Sequence, residues 1–471
     1  MSRPGAVLAV LSLASLLTSY VEAMVVPSLP KLQAALSATN EEAAWVLSAY
    51  LVVGASAAPL MGRMGDAHGK RRLYIASLGA YVAAVALAGF APSVGYLIAV
   101  RAIQGLGLSL FPLGIAIVTD VFPRDRVATA QGILSATVAI GMTLGMIAGA
   151  YIEEYLGWRA MFHVAAALSL AVLAAAAATL PPSAPARGVS VDYLGSLLVG
   201  SATAAALAYL TEAPYRGWTS PGQLALAAAS AALYAGFAAR ELSAPSPLMP
   251  PRYLGVRNVA VANAAGLVSG IYMFMLFLGV IYFAEAPPPY GLGLGVVSAA
   301  LTLLPATLAM IFLAPLIGSV VTNLGPKVSL AYGSPVSALG FLLLLGYRWS
   351  PLDLMVGSLV AGTGIVLVLI PIVNMVAVSM PAEDVSVGLG MNTLFRFLGA
   401  AVGPVVVATL MTDYQSFDVL RLGGMELVIS GLPAPAAFDY TFIIAAALSI
   451  ATLAIGLAAE NYVLGSPGSA G

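Results

Sequence analysis

The stretch Ala58–Arg72, which reads APLMGRMGDAHGKRR, lies between two long apolar segments. An altered copy, APLIGSVVTNLGPK at 314–327, begins 256 residues later and again separates two apolar segments. Two further echoes keep nearly the same offset, because GLG at 105–107 recurs as GTG at 362–364, and the glycine pair 141/145 recurs as 399/403. Collinear matches of this kind predict a duplicated structural unit.

The composition of the chain indicates the solvent in which it folds. Hydrophobic residues make up 61% of the 471 residues and charged residues only 8%, whereas a water-facing surface needs roughly a quarter of its residues charged. The chain is therefore predicted to lie in a lipid bilayer. The net charge of −1 and the single dense cationic run, Lys70–Arg72, argue against nucleic-acid binding. Cysteine is absent, which excludes disulfides and thiolate chemistry.

Apolar segments long enough to cross a bilayer, roughly 20 residues each, follow one another along the chain. We predict an all-α membrane protein with fourteen spans, arranged as six, then two, then six. The segments lie near 6–28, 43–63, 73–92, 96–119, 129–151, 160–180, 193–211, 221–240, 259–284, 293–320, 328–347, 353–379, 385–411 and 438–460. The predicted divisions are an N-terminal six-helix bundle at 1–182, a linker with two extra helices at 183–255, a C-terminal six-helix bundle at 256–463 and a tail at 464–471.

The basic residues of the short loops indicate the orientation. With a cytoplasmic amino terminus, the inner loops hold 12 Lys and Arg residues and the outer loops hold 5. We therefore predict a multi-pass protein of the cell membrane with both termini, including the tail at 464–471, in the cytoplasm.

At this point the sequence resembles the major facilitator superfamily, and in particular its fourteen-span drug:proton antiporter branch. The family's cytoplasmic loop signature is matched by Gly62, Asp66, Gly69, Lys70 and Arg71, while Met64, Gly65 and Ala67 depart from it. Its fourth-span signature is matched by RAIQGLG at 101–107, followed by Pro112, Asp120 and Arg126. Its fifth-span antiporter signature is matched at Gly141, Gly145 and Gly149, but Met146 replaces the proline.

Glu22 is the single residue whose position most strongly indicates a functional role. It shares one helix face with Ser12, Ser15 and Ser19, so this face is predicted to point into the bundle or into a water-filled cavity. Burial of a carboxyl favours its neutral form, which suits a proton carrier. The alternative is a glutamate that only joins neighbouring helices by hydrogen bonds. The resemblance adds that an acidic residue in the first span often takes part in proton coupling.

Charged residues elsewhere in the first half leave two readings open. Arg101, with Gln104 one turn away, either extends to the outer interface or, as the resemblance implies, pairs with acidic groups and tunes proton release. The resemblance also implies that an ion-pair network closes the inner gate, formed by Asp66, Lys70, Arg71, Asp120 and Arg126 with Gly62 and Gly69. The alternative for this cluster is a solvated basic loop.

Further candidates lie within the predicted spans. Gly141, Gly145 and Gly149 permit close approach of another backbone, either where the two halves pivot or where helices simply pack. The candidate cavity-lining residues are Tyr50, Gln104, Asn263, Asn374, Asn392 and Arg396, although such side chains are more often part of the packing. His68 and His163 have no second ligand at helical spacing, so no metal site and no cofactor are predicted.

These features together predict a secondary active transporter that exports hydrophobic or cationic small molecules against a proton gradient, acting as a single chain. Residues 1–182 would rock against 256–463 around a central cavity. Export of a lipid or metabolite, or peptide uptake, is the alternative with the same fold. A membrane-embedded enzyme is not predicted, because the acidic pairs at 41–42, 153–154 and 383–384 lack further ligands nearby.

Overall fold

The computed structural model describes residues 4–183, 185, 191–245, 247–381, 385–422 and 425–461. Helices dominate this part of the chain, and the predicted tail at 464–471 lies outside it. The first half contains α1 (Pro4–Ala35), α2 (Asn40–His68), α3 (Lys70–Ala88), α4 (Val94–Gln104), a 3₁₀ helix (Gly105–Ser109), α5 (Leu110–Val121), α6 (Arg124–Leu156) and α7 (Trp158–Thr179). Two linker helices follow, α8 (Tyr193–Arg216) and α9 (Pro221–Ser243).

The second half begins after the linker helices and ends with the last described helix. It contains α10 (Pro251–Leu254), α11 (Arg257–Glu285), α12 (Val296–Phe312), α13 (Ala314–Leu324), α14 (Pro326–Gly346), α15 (Pro351–Ser379), α16 (Val385–Asp413), β1 (Gln415–Leu422), β2 (Met425–Pro433) and α17 (Pro435–Leu457). The all-helical membrane fold predicted from the sequence is confirmed.

Thirteen helices of the described chain are long and apolar enough to cross a membrane, when α4, the 3₁₀ helix and α5 are taken as one. The segment predicted near 293–320 is not among them, because it is divided at Leu313 into α12 and α13. Proline lacks the N–H that a helix ladder needs, and Pro305 lies inside α12 while Pro315 lies in the first turn of α13. The exact count of fourteen spans is thus not reproduced.

Glycines of the duplicated stretch end helices in the same way in both halves. Gly69 separates α2 from α3 with φ +95°, and Gly325 separates α13 from α14 with φ +90°. Only glycine adopts this backbone region without strain. The two residues are 256 positions apart, which is the offset of the repeat.

The pairing of helices also recurs between the halves. In the first half α1 packs on α6 and α7, α2 packs on α4, and α3 packs on α7. In the second half α11 packs on α16 and α17, α12 packs on α15, and α14 packs on α17. The halves meet where α2 packs on α16 and α6 packs on α12, while α8 packs against both α2 and α16.

A β-hairpin between α16 and α17 was not predicted from the sequence. Strands β1 and β2 pair antiparallel, with an irregularity between Ser416 and Asp418. The sequence did carry a signal, since Gly423 and Gly424 stand between two segments rich in Leu, Val and Ile. We call the side of the molecule that carries the Lys70–Arg72 run the basic side. The hairpin and the loops at 36–39 and 286–295 lie at the other end of the helices, which we call the opposite side.

Candidate functional site

Glu22 lies near the middle of α1, on the polar helix face that the sequence predicted. Ser12, Ser15 and Ser19 on this face are all buried, and the hydroxyls of Ser12 and Ser15 have no hydrogen-bond partner. Glu22 itself is half-buried. In the described part of the chain its carboxylate forms neither a hydrogen bond nor an ion pair, so static joining of neighbouring helices does not account for it.

Arg101, on α4, is fully buried with 0% of its surface exposed. Its Nε donates to the carbonyl oxygen of Val46 at 2.9 Å, and its Nη1 donates to Oε1 of Gln104 at 2.9 Å. The guanidinium also lies over the Tyr50 ring, 4.5 Å from its centroid. The interpretation in which Arg101 extends to the membrane interface is therefore wrong, because the packing of α2 against α4 encloses the side chain.

Gln104 and Tyr50 complete this buried cluster. Gln104 donates through Nε2 to the carbonyl oxygen of Ala84 at 3.2 Å, which links α4 to α3. The hydroxyl of Tyr50 is buried without a partner, as is Nη2 of Arg101. Unpaired polar atoms in a dry interior cost free energy, so they mark a place where a water molecule or a ligand group would find hydrogen bonds.

Tyr81, on α3, belongs to the same cluster but was missed from the sequence. It is fully buried and interacts electrostatically with Arg101 and Glu22. Its hydroxyl donates to the carbonyl oxygen of Leu17 on α1 at 3.4 Å. No sequence pattern distinguishes it from a tyrosine that only packs.

The second half contributes Arg396, Asn392 and Asn263 to the centre of the molecule. Nδ2 of Asn392 donates to the carbonyl oxygen of Ala262 at 2.9 Å and to Oδ1 of Asn263 at 3.2 Å, which joins α16 to α11. Arg396 is half-buried on α16, and its Nε is buried without a partner. Asn374, also predicted, lies half-buried on α15.

The two arginines and Glu22 come together across the boundary between the halves. The carboxylate of Glu22 interacts electrostatically with Arg101 of its own half and with Arg396 of the other half. No N–O distance between Glu22 and either guanidinium is short enough for an ion pair, so these interactions act over a longer distance. The structure thus brings together three of the residues singled out from the sequence.

The predicted charge cluster on the basic side forms in part. Nζ of Lys70 lies 2.7 Å from Oδ2 of Asp120 and 3.8 Å from Oδ1 of Asp66, so α2, α3 and α5 are joined. The backbone N–H of Arg71 donates to the Ser183 hydroxyl at 2.8 Å. Arg71 also donates through Nη2 to the carbonyl oxygen of Ala177 at 2.7 Å, at the end of α7.

A groove of about 1150 Å³ adjoins this cluster and is lined by the ends of α2, α5 and α7. Gly69 lies against Ser183 at its rim, whereas Gly62 has open space where a Cβ would stand. Arg126 is exposed near the start of α6. The hydrogen bonds and ion pairs described for Lys70 and Arg71 stay within the first half.

The glycines of α6 face α1 of the same half. A Cβ built on Gly145 would lie 2.9 Å from the Cα of Tyr20, and one on Gly141 would lie 3.0 Å from the Cα of Leu16. A Cβ on Gly149 would similarly lie 2.9 Å from the Cα of Met24. In the second half, Gly399 and Gly403 face α11 in the corresponding way. These contacts lie within each half and not between the two.

Hydrogen bonds on the opposite side join the two halves. Tyr282 of α11 donates to Oε1 of Gln33 at 2.9 Å, and Gln33 donates to Oδ1 of Asn40 at 2.8 Å. Asn40 in turn donates to Oγ1 of Thr412 at 3.4 Å, and Thr412 donates to Oε1 of Glu41 at 2.7 Å. This chain of hydrogen bonds holds the opposite ends of the halves together.

The described residues contain no group of three or more His, Asp or Glu side chains that could hold a metal ion. His163, one of the two histidines, packs against the ring of Phe90.

Most of the chain is similar to known proteins. A family model described as Major Facilitator Superfamily matches residues 11–404. The chain is 29% identical over 421 residues to the "uncharacterized MFS-type transporter Rv1877" of Mycobacterium tuberculosis (strain ATCC 25618 / H37Rv), a match that covers 88% of this chain and 60% of that protein. It therefore spans only about three fifths of the length of that relative.

Two further similarities are informative. The chain is 27% identical over 422 residues to the tetracenomycin C resistance and export protein of Streptomyces glaucescens, covering 87% of this chain and 76% of that protein. Among solved structures, the nucleoside transporter NupG superimposes with a TM-score of 0.66 at 14% identity, covering 96% of this chain and 99% of that one. At 14% identity, the similarity to NupG shows the fold alone.

Proposed function

Because this chain belongs to the major facilitator superfamily, we propose that it is a transporter that exports hydrophobic small molecules in exchange for protons. The similarity to an antibiotic resistance and export protein supports export. The recurrence of the same helix pairing in both halves supports a mechanism in which residues 1–182 rock against 256–463, with residues 183–255 as a linker. No nucleotide is required, since the motion would draw on the proton gradient.

The observation that carries the proposal is the environment of Glu22. A carboxylate that is half-buried in the middle of a membrane helix, without a hydrogen bond or an ion pair, is costly to keep as a purely structural group. It interacts electrostatically with one arginine from each half. A proton on Glu22 therefore changes the attraction between the halves, which is what coupling of a proton to a conformational change requires.

The orientation and assembly belong to the same proposal. The basic side and both termini would lie on the cytoplasmic side of the cell membrane, and a single chain would form the working unit. In this orientation the hydrogen bonds from Tyr282 to Glu41 seal the outer side. The central cluster would then receive substrate from the cytoplasm or from the inner leaflet.

The test is transport into proteoliposomes under an imposed pH gradient. The native chain is compared with Glu22→Gln, using one lipophilic cation and one uncharged hydrophobic dye as probes. We expect gradient-driven flux in the native chain and its loss in the variant, because glutamine cannot exchange a proton. The matched control is Glu212→Gln on the linker helix α8, where the half-buried Glu212 is paired with Arg216; this variant should transport as the native chain does.

Two results would contradict the proposal. Gradient-driven flux that is unchanged in Glu22→Gln would remove this residue from coupling. Flux that ignores the gradient in both proteins would exclude proton exchange itself.

A further inference from the structure

A pair of carboxyl groups distinct from Glu22 lies toward the opposite side of the molecule, where the two halves meet. Glu153 stands in the last turn of α6 and Glu285 is the final residue of α11. They belong to different halves, and they interact electrostatically with each other. The mechanism proposed above uses neither of them.

Glu153 is enclosed more completely than an ionised carboxylate tolerates. Only 4% of its surface is exposed, and neither carboxylate oxygen has a hydrogen-bond partner. The Ser28 hydroxyl lies beside it but donates instead to the carbonyl oxygen of Met24, at 3.0 Å. A buried carboxylate without partners is strongly disfavoured, so a proton or another cation is required there.

Glu285 repeats this situation from the other half. Its Oε1 atom is buried and has no partner. Tyr282, one turn earlier on α11, could have served it but donates to Gln33 instead. The two carboxyl groups interact electrostatically across the boundary between the halves, so a negative charge on one favours the protonated form of the other.

The remaining charged groups around the pair do not neutralise it. Lys31 of α1 interacts with both carboxylates, yet it is exposed and forms no ion pair with either. Glu154 adds a further negative charge and accepts a hydrogen bond from the N–H of Val297 at 2.9 Å. Arg348 lies over the Phe283 ring but is paired with Asp439.

We propose that Glu153 and Glu285 form a second proton-binding site, which holds at least one proton while the opposite ends of the two halves are in contact. Separation of α6 from α12, where the two halves meet, would admit water, and the proton would leave to the solvent on that side. The outer proton concentration would then set how readily the opposite side opens. This inference rests on the proposed motion of the two halves but not on Glu22.

The experiment measures the separation of the opposite ends as a function of pH. The chain has no cysteine, so Gly95→Cys on α4 and Trp349→Cys between α14 and α15 give a single pair of spin labels. A Cβ at Gly95 meets no other atom within 4 Å, and Trp349 is 80% exposed. Distances are recorded by electron–electron double resonance in nanodiscs, both with the native Glu22 and with Glu22→Gln, which removes the contribution of that carboxyl group to the pH response.

We expect the closed population to fall as the pH rises from about 5 to 9, the range in which a buried carboxyl can titrate. One linked proton changes the ratio of closed to open molecules by up to about tenfold per pH unit. Glu153→Gln, which mimics the protonated state, should keep the short distance at high pH. Glu285→Gln is a second variant with the same expectation, and Glu212→Gln should behave as the unmodified chain does.

Several results would overturn the inference. A pH response that both glutamine variants retain unchanged would show that the pair does not bind the proton. Closure restored by sodium at constant high pH would assign a metal cation to the site instead. A distance that changes with substrate but not with pH would contradict this inference alone, whereas a distance that never changes would contradict the proposed motion as well.

Discussion

Replacing Gly145 by alanine tests whether the glycines of α6 serve packing within one half. Their contacts are with the backbone of α1, so they are expected to fix the distance between two helices of the same bundle. Gly132 on the same helix provides the control, because a Cβ there meets no other atom within 4 Å. Both variants add one methyl group to α6 and differ only in what that group meets.

The structure gives the magnitude of the effect. Carbon atoms pack at about 3.5–4.0 Å, whereas a Cβ at Gly145 would lie 2.9 Å from the Cα of Tyr20 and closer still to the carbonyl oxygen of that residue. Helices α1 and α6 must therefore separate by at least about 0.6–1.1 Å. Overpacking of this kind costs about 1–3 kcal/mol. Alanine recovers about 1 kcal/mol of helix propensity. The free energy of unfolding should therefore fall by about 0–2 kcal/mol for Gly145→Ala and rise by up to about 1 kcal/mol for Gly132→Ala.

The assay is unfolding in mixed micelles titrated with sodium dodecyl sulfate and followed by tryptophan fluorescence. Transport is measured in parallel and expressed per folded molecule. Gly145→Ala should lose stability while the folded fraction still transports at nearly the native rate. The reasoning is refuted if Gly145→Ala is as stable as Gly132→Ala, or if a fully folded Gly145→Ala protein does not transport, which would favour a pivot at this glycine.

Three further predictions follow from charged groups. Arg101→Lys should lower the free energy of unfolding by about 1–3 kcal/mol, because one ammonium group cannot donate to both buried acceptors of the guanidinium. Unfolding in micelles measures this loss, and a variant as stable as the native chain would contradict the prediction. Lys70→Ala should lower the free energy of unfolding by no more than about 1 kcal/mol, since the ion pairs of Lys70 are partly exposed, and this loss should become smaller in high salt. Arg72→Ala, at an exposed residue, should show no such dependence on salt. An uncharged dye should be transported faster than a lipophilic cation of similar shape, because the cluster of Glu22, Arg101 and Arg396 carries a net positive charge. Competition between the two in proteoliposomes measures this, and a preference for the cation would contradict the prediction.

Local rules accounted for most of the fold but not for its interruptions. Apolar length predicted the helices, and the repeated stretch predicted a duplicated unit, whereas the matching helix ends at Gly69 and Gly325 became visible only in the structure. The division at Leu313 depends on how two prolines combine in one segment, which apolar length does not register. Strands β1 and β2 were missed because each is too short to be recognised by apolar length, the criterion that predicted the membrane helices.

The site was predictable where one helix carries the pattern. The serine stripe placed Glu22 on an inward face, since helical spacing alone fixes which residues share a face. The approach of Arg396 to Glu22 depends on how α16 and α1 lie in different halves, and no spacing in one sequence reports that. The burial of Arg101 likewise depends on the Val46 carbonyl of another helix.

The three central charges constrain what this cavity can carry. Both guanidinium groups stay protonated, so the cluster has a net charge of +1 when Glu22 is ionised and +2 when it carries a proton. The sequence suggested hydrophobic or cationic substrates, but a cation would enter against this charge in either state. Protonation also removes the attraction of Glu22 for Arg396 on the other half, and the loss of one such interaction is of the size of typical coupling free energies, about 1–3 kcal/mol. A proton on Glu22 can therefore loosen the halves at their centre without contact between proton and substrate.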